Sequence, residues 1–587
     1  MGDFGSDLEK IGYVGKFLKG KTAILPRTRL EGAKAKLIPV HSSASFLYKH
    51  YEVLSALGEG SFGSIRLVRD RETGSERVCK IVDIRGLPAE AADLARNEIQ
   101  VLATVDHPYI VRLYEYAEDK NLNQLFMVLE HVPGGDCLEL LRRSNSFLDE
   151  SLVARLVQQT LCAIAYLHSR DIVHRDIKPE NMMVSRSAPW KKWNCKLIDF
   201  GVARQMQRST DSLGTAPYVA PEVLGGRGSH TLKADMWSLG CTTIELLSGK
   251  APFGKPCDYN GDQEPVFGRV RGFTSFQDLE SQLEEMSAWN RRSFEAQEFV
   301  ASLMQLDPSM RPTATEALEH PWLEGHRPDS PGVTPEMLRS MVSYAKASSL
   351  ERWCLLLVAV RSDIPDLAAL GAAFMLLDTD LDGRLSRSEL VEGIYGSARC
   401  WAAPDIDVGE IFNAADLYQC GGLSFSEFVA ACSYSQYRPL QLLADTVFST
   451  LDSDRDGLVH MSDIRPICRE CDLRFLVSLP QSRPFTADDW SRCVISSCRR
   501  SRQVPANDED GFASCAPHLG VHRACQEYPA GGGETNPLLA LLEGLFGCHT
   551  NSACAPSAME EDDEHVATIG GGRIFSMDPN SEESVGV

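Results

Sequence analysis

The feature that most constrains this 587-residue chain is an ordered series of short motifs between residues 58 and 222. His174-Arg175-Asp176-Ile177-Lys178-Pro179-Glu180-Asn181 is followed by Asp199-Phe200-Gly201 and then by Ala220-Pro221-Glu222. Upstream, Gly58-Glu59-Gly60-Ser61-Phe62-Gly63 lies between two strand patterns, where glycines let a hairpin backbone fold down over phosphates without Cβ clashes. Period-two segments at Ser64 to Arg69 and Arg77 to Val82 place Lys80 on a strand, where its ammonium can hold nucleotide phosphates, and Glu98 sits on a helical pattern downstream. Alone, a glycine pattern is weak and a Lys/Glu pair is usually a surface ion pair. Together they supply what phosphoryl transfer needs, acids for metal, a base for orientation and lysines for phosphate, because that reaction depends on positioning and charge neutralisation.

Residues 48–323 resemble a complete eukaryotic protein kinase domain on these motifs. The resemblance implies an α+β bilobal fold, with a small β-rich lobe ahead of a larger helical one. It further implies that Asp176 accepts the proton of a substrate hydroxyl, Lys178 steadies the γ-phosphate, Lys80 pairs with Glu98, and Asn181 and Asp199 bind Mg²⁺. ATP contacts are expected from Leu57, Gly58, Gly60, Gly63, Ile65 and Asp136, with Leu129 at the back wall and the main chain of Glu130 and Val132 on the adenine. Lys178, together with Gly214-Thr215-Ala216-Pro217-Tyr218, is the pattern of the serine/threonine class. Arg311 resembles the structural partner of Glu222, and Asp235 and Trp237 belong to the helical core. Arg175 implies an anion pocket for which Ser209, Thr210 and Ser212 are available phosphoacceptors, although calcium-dependent kinases often need no such phosphate. Asp136 and Glu180 offer a negative surface for protein substrates with basic residues near the acceptor Ser or Thr.

A second signal is internal. Phe374, Phe412 and Phe448 each precede by four residues a loop that begins at Asp378, Asp416 or Asp452. In the first, Asp378, Asp380, Asp382, Gly383, Arg384, Ser386 and Glu389 fall at positions 1, 3, 5, 6, 7, 9 and 12 of an EF-hand calcium loop, with Arg384 contributing its carbonyl. The second loop, 416–427, has Tyr418 and Cys420 where side-chain oxygens are needed and is expected to be a structural partner. The third, 452–463, has Asp452, Asp454, Asp456, the Leu458 carbonyl and Asp463, whose shorter side chain replaces the closing Glu, so Ca²⁺ or Mg²⁺ both remain open. Phe485 to Trp490 reads as the remnant of a fourth hand.

A kinase block, an apolar helical connector over 324–361 and an all-α EF-hand domain over 362–494 together resemble the calcium-dependent protein kinases of plants and protists, over about residues 48 to 492. That resemblance implies a connector that restrains the kinase at rest and is seized by calcium-loaded hands. Leu338, Met341, Tyr344, Leu350, Trp353, Leu357 and Val360 are either its anchors or the packing of a permanent spacer. Residues 1–47 read as a basic flexible leader; Met1-Gly2-Asp3-Phe4-Gly5-Ser6 fits a broad myristoylation pattern, although Asp3 is an awkward neighbour and no nearby Cys offers palmitoylation. Residues 495–587 read as mostly disordered. No apolar run approaches the roughly 20 residues of a membrane span, and 18 scattered Cys without a secretory leader suit a reduced, cytoplasmic setting with membrane contact only through the arm. Net charge of −22 argues against a nucleic-acid partner.

Overall fold

The computed structural model describes residues 37–60, 63–85, 87, 89–144, 147–187, 192–205, 215–224, 231–324, 332–398, 407–437, 440–452, 455–464 and 484–501. Most of the leader, Ser209, Thr210 and Ser212, Asp454 and nearly all of the tail lie outside these residues.

The small lobe is one six-stranded sheet in the order β1-β5-β6-β4-β3-β2, formed by β1 (Val40–His41), β2 (Tyr51–Gly60), β3 (Gly63–Asp70), β4 (Glu76–Asp83), β5 (Leu113–Asp119) and β6 (Gln124–Glu130). It begins earlier than the sequence suggested. Strand β1 pairs parallel with β5 through Val40 and His41, and helix α1 (Ser45–His50) buries Phe46 and Leu47 against Val68, Phe126 and Val128. The basic residues of the leader mask two short apolar groups, Leu37-Ile38 and Phe46-Leu47, and their burial moves the boundary from 48 to about 37. At the hairpin of β2 and β3, a Cβ on Gly63 would lie 1.7 Å from the Ile81 carbonyl oxygen, so the approach of β3 to β4 tolerates only glycine there.

Helix α2 (Ala89–Thr104) carries Glu98 beneath this sheet. The large lobe is built around α3 (Cys137–Arg143), α4 (Glu150–His168) and α5 (Leu232–Ser248), the last closed by Gly249 in the left-handed conformation, φ 84°. Leu156, Leu161 and Ile164 of α4 share a core with Leu239 and Ile244 of α5 and Phe299.

Two connector helices, α6 (Pro335–Ala345) and α7 (Ser349–Arg361), start at side-chain caps from Thr334 and from the Ser348/Glu351 capping box. All seven apolar connector residues are buried, in one core with Phe374, Phe412, Phe428 and Phe448 of the repeat. The hands pair through short bridges, Leu385 with Leu423 and Val459 with Phe485, so the segment at Phe485 stands as partner to the third loop. Trp490 is fully buried behind it.

This helical unit lies directly against the kinase fold. Asp106, just past α2, accepts hydrogen bonds from the N–H (2.9 Å) and hydroxyl (3.0 Å) of Ser426. Arg112 donates to the Ala359 carbonyl at 3.0 Å, Arg77 pairs with Asp363 at 2.9 Å, and Arg455 in the third loop reaches Asp70 at 3.3 Å. A Cβ on Gly383, φ 74°, would lie 2.0 Å from the ring of Tyr166 on α4, which places the first calcium loop in contact with the large lobe. Ser426→Ala removes one of the two bonds to a buried carboxylate and should cost about 1 kcal/mol. In calorimetry of the full chain, the first unfolding transition then falls by about 2–4 °C.

Candidate active site and calcium loops

Between the lobes, Lys80 on β4 donates to both oxygens of Glu98, at 2.8 and 2.7 Å, and lies 3.5 Å from Asp199. Burial works against the lysine's charge, but Glu98 and then Asp199 outweigh it, and its pKa is raised. Asp199 is held at φ 63°, and burial, which favours its neutral form, is outweighed by Lys80 and Lys178, so its pKa is lowered. Phe200 is fully buried and packs edge-on against His174, with 4.9 Å between ring centroids. The strained backbone at Asp199 is thereby fixed from behind, with its carboxylate turned toward Lys80.

Asp176 is oriented from three sides. Its Oδ1 accepts from Thr215 at 2.7 Å, and its Oδ2 accepts from Lys178 at 2.6 Å and from the Asn181 amide at 2.9 Å. Lys178 also donates to Thr215 at 2.7 Å. With its amide nitrogen engaged by Asp176, Asn181 has its side-chain carbonyl oxygen to offer a cation, and Asp199 offers a carboxylate held in its charged form. Hard oxygen donors of this kind suit Mg²⁺ with substrate phosphates.

The catalytic loop is hung on Asp235 of α5. Its oxygens accept the main-chain N–H groups of His174 (2.9 Å) and Arg175 (2.8 Å), and His168 lies 2.9 Å away. Burial pushes this carboxyl up, but His168 and these bonds win and its pKa is lowered. Arg311, 1% exposed, meets Glu222 in two parallel bonds of 2.7 and 2.9 Å. Sequence reasoning paired Arg311 with Glu222 and placed Asp235 in the helical core, but gave no sign that Asp235 sets the backbone of the catalytic loop. Thr215 was quoted only as part of a class motif, since a hydroxyl's aim leaves no trace in sequence.

In the nucleotide cleft, Gly58 pairs with Ile65 and Gly60 with Gly63 across the hairpin. Leu57 is half exposed, Ile65 and Leu129 are partly buried and Val132 is buried. The Glu130 carboxylate is held by Lys196 at 3.0 Å, and its N–H donates to the Arg112 carbonyl at 3.0 Å, so of its main chain only the carbonyl could serve a base. Asp136 caps α3 by accepting the Glu139 N–H at 2.7 Å.

In the first calcium loop, Asp378, Asp380 and Asp382 bring one oxygen each within 4.8 Å of one another. Asp378 Oδ2 accepts the Gly383 N–H at 3.0 Å, whereas its Oδ1 is buried without a hydrogen-bond partner. Burial, followed by Asp382 and Glu389, pushes Asp378 up to about 8. A divalent cation satisfies both the orphaned oxygen and this mutual repulsion, so the donor set fits calcium. Glu389 spans the loop ends, accepting from Thr379 N–H (2.8 Å) and Ser386 N–H (2.9 Å), and the Arg384 side chain donates to the Gly422 carbonyl (3.2 Å).

The second loop keeps the same backbone bonds, with Tyr418 and Cys420 where the first has Asp380 and Asp382. Glu427, fully buried, accepts from Tyr418 N–H (3.0 Å) and Ser424 N–H (2.8 Å), and burial raises it to about 7. In the third, Asp452 accepts from Asp456 and Gly457 N–H, Asp456 accepts from Leu458 N–H, and Asp463 from His460 N–H.

The family model described as protein kinase domain matches residues 51–323. Serine/threonine-protein kinase DCLK3 of mouse is 34% identical over 282 residues, 47% of this chain and 34% of the mouse protein. Calcium-dependent protein kinase 4 of Plasmodium falciparum is 27% identical over 449 residues, 72% of this chain and 81% of that one. Calcium-dependent protein kinase 6 of Plasmodium berghei is 27% identical over 476 residues, 80% of this chain and 29% of that one. The chain thus spans about a third of the mouse relative and most of the Plasmodium falciparum one.

Proposed function

Because this chain belongs with the calcium-dependent protein kinases, a protein kinase domain followed by calcium loops, we propose that it transfers the γ-phosphate of ATP to serine or threonine of protein substrates under calcium control. The observation that carries the catalytic half is the paired Lys80 and Glu98 beside Asp199, with Asp176 held by three donors. Asp176 orients the incoming hydroxyl and takes its proton. Lys178, bonded to the same carboxylate, is placed to steady the transferred group, and Lys80 to hold the phosphates that stay behind. Asn181 and Asp199 hold Mg²⁺, which when bound neutralises phosphate charge. Adenine lies between Leu57, Ile65 and Leu129 and bonds the main chain of Glu130 and Val132.

The regulatory half rests on the contact of the first calcium loop with Tyr166 and of Ser426 with Asp106, at the exit of the helix that carries Glu98. Calcium is held by the first loop and, with fewer long acids, by the third. The connector, buried among the hands, is the element exchanged between a resting position on the kinase and this one. Substrates carry basic residues near the acceptor; the protein is cytoplasmic, with the arm and an acylated Gly2 supplying membrane contact.

The test is phosphorylation of a basic, Ser-containing peptide across a calcium titration, with Asp199→Ala as blank. Activity that rises with calcium supports the proposal. Equal activity with and without calcium leaves a kinase without the switch, and activity no higher than the blank removes the enzyme. Arg455→Ala, which detaches the third loop from Asp70 and Glu72, should raise the calcium needed for half activation by about two- to fivefold, the scale of one exposed ion pair.

A further inference from the structure

Beside the catalytic loop, two carboxylates share one lysine. Lys255 Nζ lies 2.7 Å from Glu245 Oε1 and 4.0 Å from Glu180 Oε1. Glu245 is almost wholly buried, and its second oxygen is taken by the Tyr218 hydroxyl at 2.5 Å. Glu180 is partly exposed, yet its Oε2 is buried without a hydrogen-bond partner. Two carboxylates thus face one ammonium, and burial, with Glu245 beside it, raises the Glu180 carboxyl, so its charged form gains from a cation at this place. Asp258, the other acid on the lysine's own loop, is bound to the Lys255 N–H at 2.8 Å and does not draw the ammonium away.

Glu180 lies in the turn Pro179–Asn181, whose Asn181 amide bonds Asp176 at 2.9 Å, so a peptide whose hydroxyl reaches Asp176 passes close to it. An acidic pair in that place would bind an Arg or Lys of the substrate. Here the place is filled from within. A tethered ammonium competes at an effective concentration of about millimolar or more, far above that of a protein substrate in solution.

We propose that Lys255 is an internal counter-ion in the acidic subsite of Glu180 and Glu245, and that it flattens the enzyme's selection for a basic substrate residue at that position. The inference rests on the kinase reading above and refines its substrate class. Asp136 is no part of this pair and, though it caps α3, still carries a charge that can attract basic residues elsewhere along the peptide.

The experiment is a position-scanned Ser/Thr peptide library, phosphorylated with ATP and Mg²⁺ in saturating calcium by the full chain, Lys255→Ala, Glu180→Gln and the double variant. At the position facing the pair, the native chain should turn over Arg and Ala peptides alike. Lys255→Ala should raise the Arg-to-Ala ratio of kcat/KM about tenfold, the scale of one partly desolvated ion pair, and Glu180→Gln in that background should remove the gain. Should Lys255→Ala fail to fold, Glu180→Gln in the otherwise native chain decides: an unchanged ratio supports the inference. A native chain that strongly prefers Arg there and loses the preference in Glu180→Gln overturns it, because the pair is then open to substrate. Failure of the native chain to phosphorylate any peptide overturns the kinase reading, and this inference with it.

Discussion

Asp176→Asn lowers kcat by about 10³-fold and leaves the KM for ATP nearly unchanged. The carboxylate is the meeting point of Thr215, Lys178 and Asn181, and all three of its donors come from the chain itself. Asn keeps the shape but replaces one acceptor oxygen with an NH₂ that must face Thr215, Lys178 or Asn181, every one of them already donating. The proton of the attacking hydroxyl then has no base, and Lys178 loses the charge that holds it. The nucleotide's own partners, Lys80, the hairpin glycines and Asp199, are untouched, so the loss belongs to turnover rather than to binding. Steady-state kinetics on a Ser peptide separates the two. Asp199→Ala should behave differently, raising KM for ATP as well, because it removes a cation ligand. A kcat within tenfold of the native chain for Asp176→Asn would mean that the base lies elsewhere.

The residues proposed for catalysis could be singled out in the sequence because each is a charged position with a chemical reason for its spacing. Lys80 and Glu98, 18 residues apart, meet only because β4 and α2 share a lobe, and the motif series predicts that lobe. What sequence hid were contacts made by ordinary residues. The Ser426 hydroxyl on Asp106 joins positions 320 residues apart and lies in no motif. Lys255 follows Phe253-Gly254 as any surface lysine would, and only folding sets it against Glu245 of α5. The leader's end was misread for a third reason. Counting charge over 47 residues averages out Leu37-Ile38 and Phe46-Leu47, of which Phe46 and Leu47 are buried in the small lobe and Leu37 in the core of the connector and the hands.

Glu389→Gln lowers the calcium affinity of the first loop by at least about 100-fold, since losing even an outer partner of a ligand costs 10–100-fold. Glutamate at the last loop position can give a cation two charged oxygens, whereas Gln gives one neutral one. The amide can still accept at Thr379 or Ser386, so the empty loop keeps much of its shape. The third loop is not touched, and its binding, measured by calorimetric titration, should persist in the variant. Kinase activity measured over the same calcium range then assigns control. Gly383 of the first loop packs on Tyr166 of the large lobe, whereas the third loop reaches the small lobe through the partly exposed Arg455. The closer, drier contact favours the first loop as the sensor, so the activation curve should move with the lost affinity. An activation curve that stays in place while first-loop binding is lost would transfer control to the third loop and to Arg455.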